Sequence, residues 1–546
     1  MNAKQSLTSW SAKDRDRYLT ELSEKTYDVL IVGGGITGAG ILRALGLRGI
    51  SAALIEKDDF GFGTSSKSTR LAHGGVRYII NGEFGLVSEA CHERDWLRGA
   101  LPNLVRPVPI VMINHSAAAS FGFGMYLRFY DLLSGWNNYR NYAHLSLSDV
   151  KQAEPQVNIP DTHSASRLYE CIINDARLTL EIAKEGVMTG GVAVNYLEAK
   201  RIITEKGRTT GVEAVDRLTG DSLVIRAKNV VNACGPWTDD LMPEEFPKVI
   251  RPSKGVHIVV KREKIGNVGG LYVKNPADGR SIFVLSHGDF TFLGTTDTDY
   301  PGDLDHCYTE REEYEYLKLS VDSCFPDAQF EETDILGTYA GVRPLVLDPK
   351  ETSETKTSRK ELIDEVSPGY FVITGGKLTI FRSMAEKLTE FMAKKGALSI
   401  TTSDTKQSKN RFALGMTPEE WAASNTSGRL DEKTLTHLYQ NYGAGGISIL
   451  DAVEANKSMG EPVTQNQPNI LAELDYCLEH EMITRVKDFL LRRTNLSLYQ
   501  RDDHETLGRE TAKHMGAYLG WDDARIKQET AEYVDISHKN SFFLDT

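Results

Sequence analysis

Gly33, Gly35 and Gly38 stand in the spacing G-x-G-x-x-G, and Glu56 follows 18 residues after the last of them. That combination can hold a dinucleotide. The first glycine allows a tight turn. The second lets the backbone approach a pyrophosphate with no Cβ in the way. The third lets a helix pack closely on the sheet, and the acid accepts hydrogen bonds from a ribose diol. The following loop reads Gly63-Thr-Ser-Ser-Lys-Ser-Thr-Arg70-Leu-Ala-His73-Gly-Gly75-Val-Arg77-Tyr78. The hydroxyls of Thr64, Ser65 and Ser68 suit a polar cofactor, and Gly74-Gly75 permits close backbone approach.

Such residues work only if the chain positions them. Val29–Val32 is an apolar run that reads as a buried parallel strand. It enters the glycine turn and then a helical pattern through Ile41, Leu42 and Leu45. A second apolar run, Ala52–Ile55, ends in Glu56. Strand, glycine turn, helix, strand and acid together make the dinucleotide-binding βαβ unit. The helix N-terminus offers its amides and positive dipole end to phosphates.

The chain has 546 residues, enough for two or three domains. With 40 % hydrophobic and 25 % charged residues it reads as globular. A net charge of −13 argues against nucleic acid as a partner; an anionic substrate requires cations gathered locally. Cys91, Cys171, Cys234, Cys307, Cys324 and Cys477 form no CxxC pair, which fits a reducing compartment and no metal site. The polar N-terminus shows no signal peptide, and no run of 18 apolar residues exists to span a bilayer.

Residues 1–26 read either as an extension or as an amphipathic helix packing through Trp10, Tyr18, Leu19 and Leu22. Residues 57–82 read as an extended loop, 178–191 as a helix and 192–197 as a strand. Short β-type runs across 250–345 suggest an antiparallel sheet lying over a ligand. Residues 351–366 read as an exposed loop, and 369–373 as a strand leading into Gly375-Gly376-Lys377 and a helix. From 401 the pattern is helical. Thr417-Pro418-Glu419-Glu420 is a start signal there, and Gly443-Ala-Gly-Gly446 a turn.

A series of motifs in order resembles those of the FAD-dependent glycerol-3-phosphate dehydrogenases, a group of D-amino-acid-oxidase-like flavoproteins. They begin with the βα unit and the H-G-G-x-R-Y core of the loop. Then come Asp175-Ala-Arg-Leu178, Asn232-Ala-Cys-Gly-Pro-Trp237, Lys254-Gly-Val-His257-Ile-Val, Gly294-Thr-Thr-Asp297, Gly341-Val-Arg343-Pro-Leu345 and Gly375-Gly-Lys-Leu-Thr379. The resemblance runs from about residue 27 to the end. It implies an α/β fold with three parts: a Rossmann-like FAD-binding domain, an antiparallel-sheet substrate domain and a C-terminal α-helical domain. FAD-binding parts are expected at about 27–90, 165–250 and 366–400, substrate-cap parts at 91–164 and 251–365, and the helical domain at 401–546.

The resemblance implies FAD as cofactor. Besides Gly33, Gly35, Gly38 and Glu56, it implies contacts from Thr64, Ser65, Ser68, His73 and Gly74. Gly235 at the turn under the flavin, and Gly376, Leu378 and Thr379 at the last strand-to-helix junction, complete the set. It implies sn-glycerol 3-phosphate as substrate, oxidised to dihydroxyacetone phosphate in glycerol catabolism. The phosphate calls for a basic pocket, and Arg77, Arg343, Arg359 and Lys377 are the matching cations, with Tyr78 and His257 also facing substrate. Arginine suits phosphate through its planar fork. The catalytic group is expected to be His257, Arg343 and His73, with His257 the first candidate base and His73 the second. Several positions depart from the family pattern. Cys234 replaces threonine, Ala72 a larger aliphatic and Arg70 a lysine, and Arg359 is followed by Lys360-Glu361.

The family's dehydrogenases pass electrons to a membrane quinone. Its oxidases use oxygen and carry an extra mid-chain stretch not seen here. The expectation is therefore a cytoplasmic enzyme attached peripherally to the inner face of the cell membrane, with a homo-oligomer possible. Residues 482–493 offer one membrane-contact candidate, with a helix packed on the core as the favoured reading. An oxygen-using oxidase, an amino-acid or amine oxidase of the same fold, and a non-catalytic nucleotide sensor are the competing functions.

Overall fold

A computed structural model describes residues 9–79, 82–135, 137–158, 162–347, 361–400, 412–425, 428–541 and 543. Val29–Val32 and Ala52–Ile55 are buried at every position, as strands covered on both faces must be. They lie within a six-stranded sheet of order Glu361–Ser367, Tyr370–Gly375, Val230–Asn232, Val29–Val32, Ala52–Ile55, Val192–Val194. The last five strands are parallel. The helices Ile36–Gly46, Asp175–Met188 and Phe381–Lys394 pack against this sheet and one another. A four-stranded sheet, including the hairpin Leu197–Glu205 and Arg208–Asp216, covers its other side.

Residues 361–366 are not loop. Glu361–Ser367 is an edge strand, antiparallel to Tyr370–Gly375. Its acidic residues mask the strand pattern, but Glu361 and Glu365 are paired with Lys387 and Lys395. Charge on an edge strand also discourages pairing with other chains. Residues 351–360 lie outside the described residues.

A second, larger sheet forms the other half of the core. Its longest members are Ile250–Lys261 and Ile335–Val346, antiparallel, with His257 opposite Tyr339 and Ser253 opposite Arg343. It also takes strands from earlier in the chain, Leu71–Ala72, Arg106–Asn114 and Ser164–Ile172. One pairing, Gly270–Lys274 with Arg106–Asn114, is parallel, so the sheet is mixed and not purely antiparallel. The loop carrying His73 therefore enters the sheet that carries His257.

The N-terminal reading resolves toward packing. Arg15–Glu24 is a helix with Tyr18 and Leu22 buried. Trp10 is fully buried, its indole N–H donating to Ala193 O at 3.0 Å. Its backbone bonds to Glu479 O and Met482 N tie this segment to the C-terminal helices.

Those helices include Pro418–Ser424, capped by Thr417 as its start signal predicts. The glycine cluster ends sooner than expected, because the helix Gly445–Ala455 begins inside it. In 482–493, Ile483, Val486, Phe489 and Leu490 are fully buried. The cations beside them are engaged. Lys487 meets Asp58 at 2.6 Å, Arg492 meets Asp59 at 2.5 Å, and Arg493 meets Asp59 and Glu481. This stretch is an internal seam between domains, so it is not the membrane contact.

Candidate active site

The glycine turn has the geometry its spacing requires. Gly33 has φ +110°, and a Cβ there would lie 2.5 Å from Ala233 O. A Cβ on Gly38 would lie 1.9 Å from Gly33 O. Gly38 thus closes the turn on the helix and does not face the cavity. At Gly35 a Cβ would meet only Ser65 Oγ, at 3.1 Å. The helix begins at Ile36, whose amide donates to Ser65 Oγ at 2.9 Å. Glu56 is buried. Its carboxylate accepts from Gly34 N at 2.6 Å and Asp58 N at 2.9 Å, yet burial pushes its pKa up to about 7.

This cradle opens into a cavity of about 400 Å³. Gly33, Gly35, Glu56, Thr64, Ser65, Ser68 and Gly235 line it, as do Gly376, Leu378 and Thr379. The same cavity takes in His73, His257, Arg343 and Lys377. Residues read from distant motifs therefore meet in one space, within the size range of cofactor pockets. Gly35, which sets no Cβ beside the cavity, and the helix N-terminus at Ile36 on the cavity edge fit a bound pyrophosphate.

Besides Gly38, three expected residues stand off the cavity wall. Gly74 does not line the cavity. A Cβ there would lie 2.2 Å from Tyr130 Oη and 2.3 Å from Cys91 Sγ, so its smallness serves packing. Arg77 is exposed and off the cavity wall. Tyr78 is buried behind the wall, with Lys377 Nζ 3.7 Å from its ring centre. Arg359 lies outside the described residues.

The remaining side chains are held from several sides. Arg343 donates to Asp297 Oδ1 at 3.0 Å, Thr295 Oγ1 at 2.8 Å and two backbone carbonyls. Asp297 offsets part of its charge while fixing the fork. The amide of His73 donates to Thr379 Oγ1 at 3.3 Å, joining two motifs. His257 is 1 % exposed and stacks on Tyr339 with centroids 4.8 Å apart. Burial, then Arg343 and Arg70, hold its pKa well below the usual imidazole value, so the ring is neutral at physiological pH. Cys234 lines the cavity, and burial raises its thiol pKa, which leaves a protonated, unreactive sulfur.

Some residues were not singled out from sequence. Lys67 and Thr69 line the cavity too. Both lie in the loop noted for cations and hydroxyls, but spacing alone does not say which of them turn inward. Tyr339 is four residues before Arg343, and only the strand register places it on His257.

Comparison with known proteins identifies the family. A family model described as FAD dependent oxidoreductase matches residues 28–390. One described as the C-terminal domain of alpha-glycerophosphate oxidase matches 380–526. Aerobic glycerol-3-phosphate dehydrogenase of Bacillus subtilis is 34 % identical over 97 % of this chain and 98 % of its own. Its namesake in Staphylococcus saprophyticus is 30 % identical over 96 % of each. Among solved structures, the glycerol-3-phosphate dehydrogenase of Bacillus halodurans, complexed with FAD, superposes with a TM-score of 0.79. It is 28 % identical, covering 97 % of this chain and 98 % of that one.

Proposed function

We propose, since the chain belongs to the FAD-dependent glycerol-3-phosphate dehydrogenase family, that it oxidises sn-glycerol 3-phosphate to dihydroxyacetone phosphate and passes the electrons to a membrane quinone. The observation that carries the first part is the shared cavity: His257, Arg343 and Lys377 line the same space as the glycine cradle. FAD, when bound, accepts the hydride from carbon 2. Arg343 and Lys377 supply charge for the phosphate, with Arg343 oriented by Asp297. The neutral His257 receives the hydroxyl proton. An amino-acid substrate needs one cation for its carboxylate; Arg343 and Lys377 together suit a phosphate dianion better.

A direct test is anaerobic titration of the purified yellow protein. Bleaching by glycerol 3-phosphate supports the proposal. Bleaching by amino acids alone supports an amine oxidase, and no bleaching supports a sensor. Peroxide formed in stoichiometric amounts under air would replace quinone by oxygen.

The cofactor cradle offers its own check. Gly35→Val places a branched side chain between Ser65 Oγ and the cavity. The variant is expected to purify folded but colourless, with FAD affinity down by at least about 100-fold, the equivalent of about 2.7 kcal/mol. A full complement of FAD in Gly35→Val would displace the pyrophosphate from this turn.

The quinone reading needs a membrane contact, and the helix Ala117–Leu133 supplies a surface for one. Phe121, Met125, Phe129 and Leu132 are exposed along one face, and Phe84, also exposed, packs edge-on against Phe129. Between Asp95 and Asp149 the only acid is Asp131, which is buried, whereas Arg98, Arg106, Arg128 and Arg140 all fall there. In a protein of charge −13, an apolar stripe in an acid-poor segment suits an anionic lipid surface. The inner face of the same helix touches the active-site loop through Tyr126, which donates to Val76 O, and the strand Ser164–Ile172 through Tyr130, which donates to Glu170. Among the described residues, no helix is long and apolar enough to cross a membrane. Phe121→Asp with Phe129→Asp is expected to weaken co-sedimentation with phosphatidylglycerol vesicles by at least roughly 100-fold, since two buried phenyl groups at about 1.5–3 kcal/mol each together contribute about 3–6 kcal/mol. Bleaching by substrate in solution should stay normal. Unchanged vesicle binding would move the contact to another face.

A further inference from the structure

The imidazole of His257 is enclosed. Its Nδ1 is buried with no hydrogen-bond partner among the described residues, and its Nε2 lies 3.0 Å from Thr69 Oγ1. Thr69 lines the cavity and is partly exposed to it. The ring itself is held by the strand pairing. His257 lies opposite Tyr339, whose ring stacks on it, and whose hydroxyl donates to Ser68 O at 2.8 Å. Ser68 is anchored a second time, its amide and hydroxyl both donating to Asp175 at 2.9 and 2.7 Å. Tyr339 therefore fixes both the imidazole and the residue before Thr69. The distance from Thr69 Oγ1 to Nε2 is set twice over.

From this geometry we infer that Thr69 is a catalytic residue, the hydroxyl that contacts the substrate alcohol and relays its proton to Nε2 of His257. This rests on the reading of the site as a glycerol 3-phosphate oxidation centre. The substrate O–H bond breaks and its proton goes to Thr69 Oγ1. The Thr69 O–H bond breaks in concert, and that proton goes to Nε2. The C2–H bond breaks with its electron pair, which leaves as hydride to FAD, while the carbonyl forms. Two protons move one step each, and one two-electron equivalent leaves. Nε2 accepts only in the tautomer with the ring proton on Nδ1. The phosphate dianion of the substrate, bound in the cavity that Arg343 and Lys377 line, offsets the cost of an imidazolium beside Arg343 and Arg70.

The test compares Thr69→Val, Thr69→Ala and Thr69→Ser by anaerobic stopped-flow reduction with glycerol 3-phosphate, with FAD content as the check on folding. Reduction should slow roughly 100-fold in the valine and alanine variants, the lower end of a general-base effect. The serine variant should recover to within several-fold of wild type. The substrate concentration for half-saturation should change little. A proton inventory in mixed H₂O and D₂O gives a signature that packing would not. It should be curved in the wild type, with two protons in flight, and linear in Thr69→Ala. Wild-type rates in Thr69→Val and Thr69→Ala, a serine variant as slow as valine, or a linear wild-type inventory would each overturn the relay. A wild-type flavin not reduced at all by glycerol 3-phosphate would overturn the functional reading beneath it.

Discussion

Anaerobic reduction of the bound flavin by glycerol 3-phosphate is expected to slow by roughly 10²- to 10⁴-fold in His257→Ala, the usual size of a general-base contribution. The expectation follows from placement: the ring lines the cavity, is buried, and has one nitrogen open to exchange through a neighbouring hydroxyl. Its folded pKa lies well below the unfolded value near 6.5, so the sign of its pH effects is defined. The wild-type rate should be flat through neutrality, with its acid limb below pH 6.5, and His257→Ala should lose that limb. In stability the unfolded state binds the extra proton. The contribution of neutral His257 is therefore complete above about pH 6.5 and lost progressively below it. His73→Ala is the control, because its amide is held by Thr379 while its ring shares the cavity. A slow His73→Ala beside a normal His257→Ala would exchange their roles.

The second large effect concerns the seam between domains. Asp59 is fully buried and meets Arg492 and Arg493. Burial alone would raise its pKa, but the two arginines outweigh burial and hold it down. Asp59→Leu leaves two buried guanidinium groups without their shared carboxylate. Breaking a buried pair by removing one partner typically costs about 3–5 kcal/mol. A chain of several domains does not unfold in one step, so a single unfolding free energy is the wrong measure. The expected readouts are earlier proteolysis of the C-terminal helices and earlier release of FAD on heating. Matched proteolysis and FAD retention in Asp59→Leu and wild type would show that other contacts hold the seam.

The parts of this fold that follow local rules were legible in the sequence. The Gly33 turn, the buried strands beside it and the Thr417 cap each depend on a few neighbouring residues, and each formed as expected. What was not legible depends on contacts from far along the chain. Glu361–Ser367 looks like loop because its acids are neutralised by a helix some thirty residues later. Arg77 and Gly74 share a motif with His73, yet one faces outward and the other packs on Tyr130. Arg77 lies in a 3₁₀ turn, Val76–Ile79, and Gly74 just before it, and no spacing rule predicts where each of them faces. The cationic stripe at 482–493 is ambiguous in one dimension because its partners, Asp58 and Asp59, lie more than four hundred positions earlier.

That separation has a consequence for how the protein is made. The acidic residues just after Glu56, and Arg70 in the active-site loop, find their partners at Lys487, Arg492, Arg493, Asn495 and Tyr499. At about 5–20 residues per second, a ribosome needs roughly 20–90 s to travel that distance. Throughout that time the nascent cradle has its glycine turn but not the support behind its loop. Stable cofactor loading is therefore expected only after those late residues have been made. Polypeptides stalled or cut before residue 482 should emerge without flavin however much FAD surrounds them.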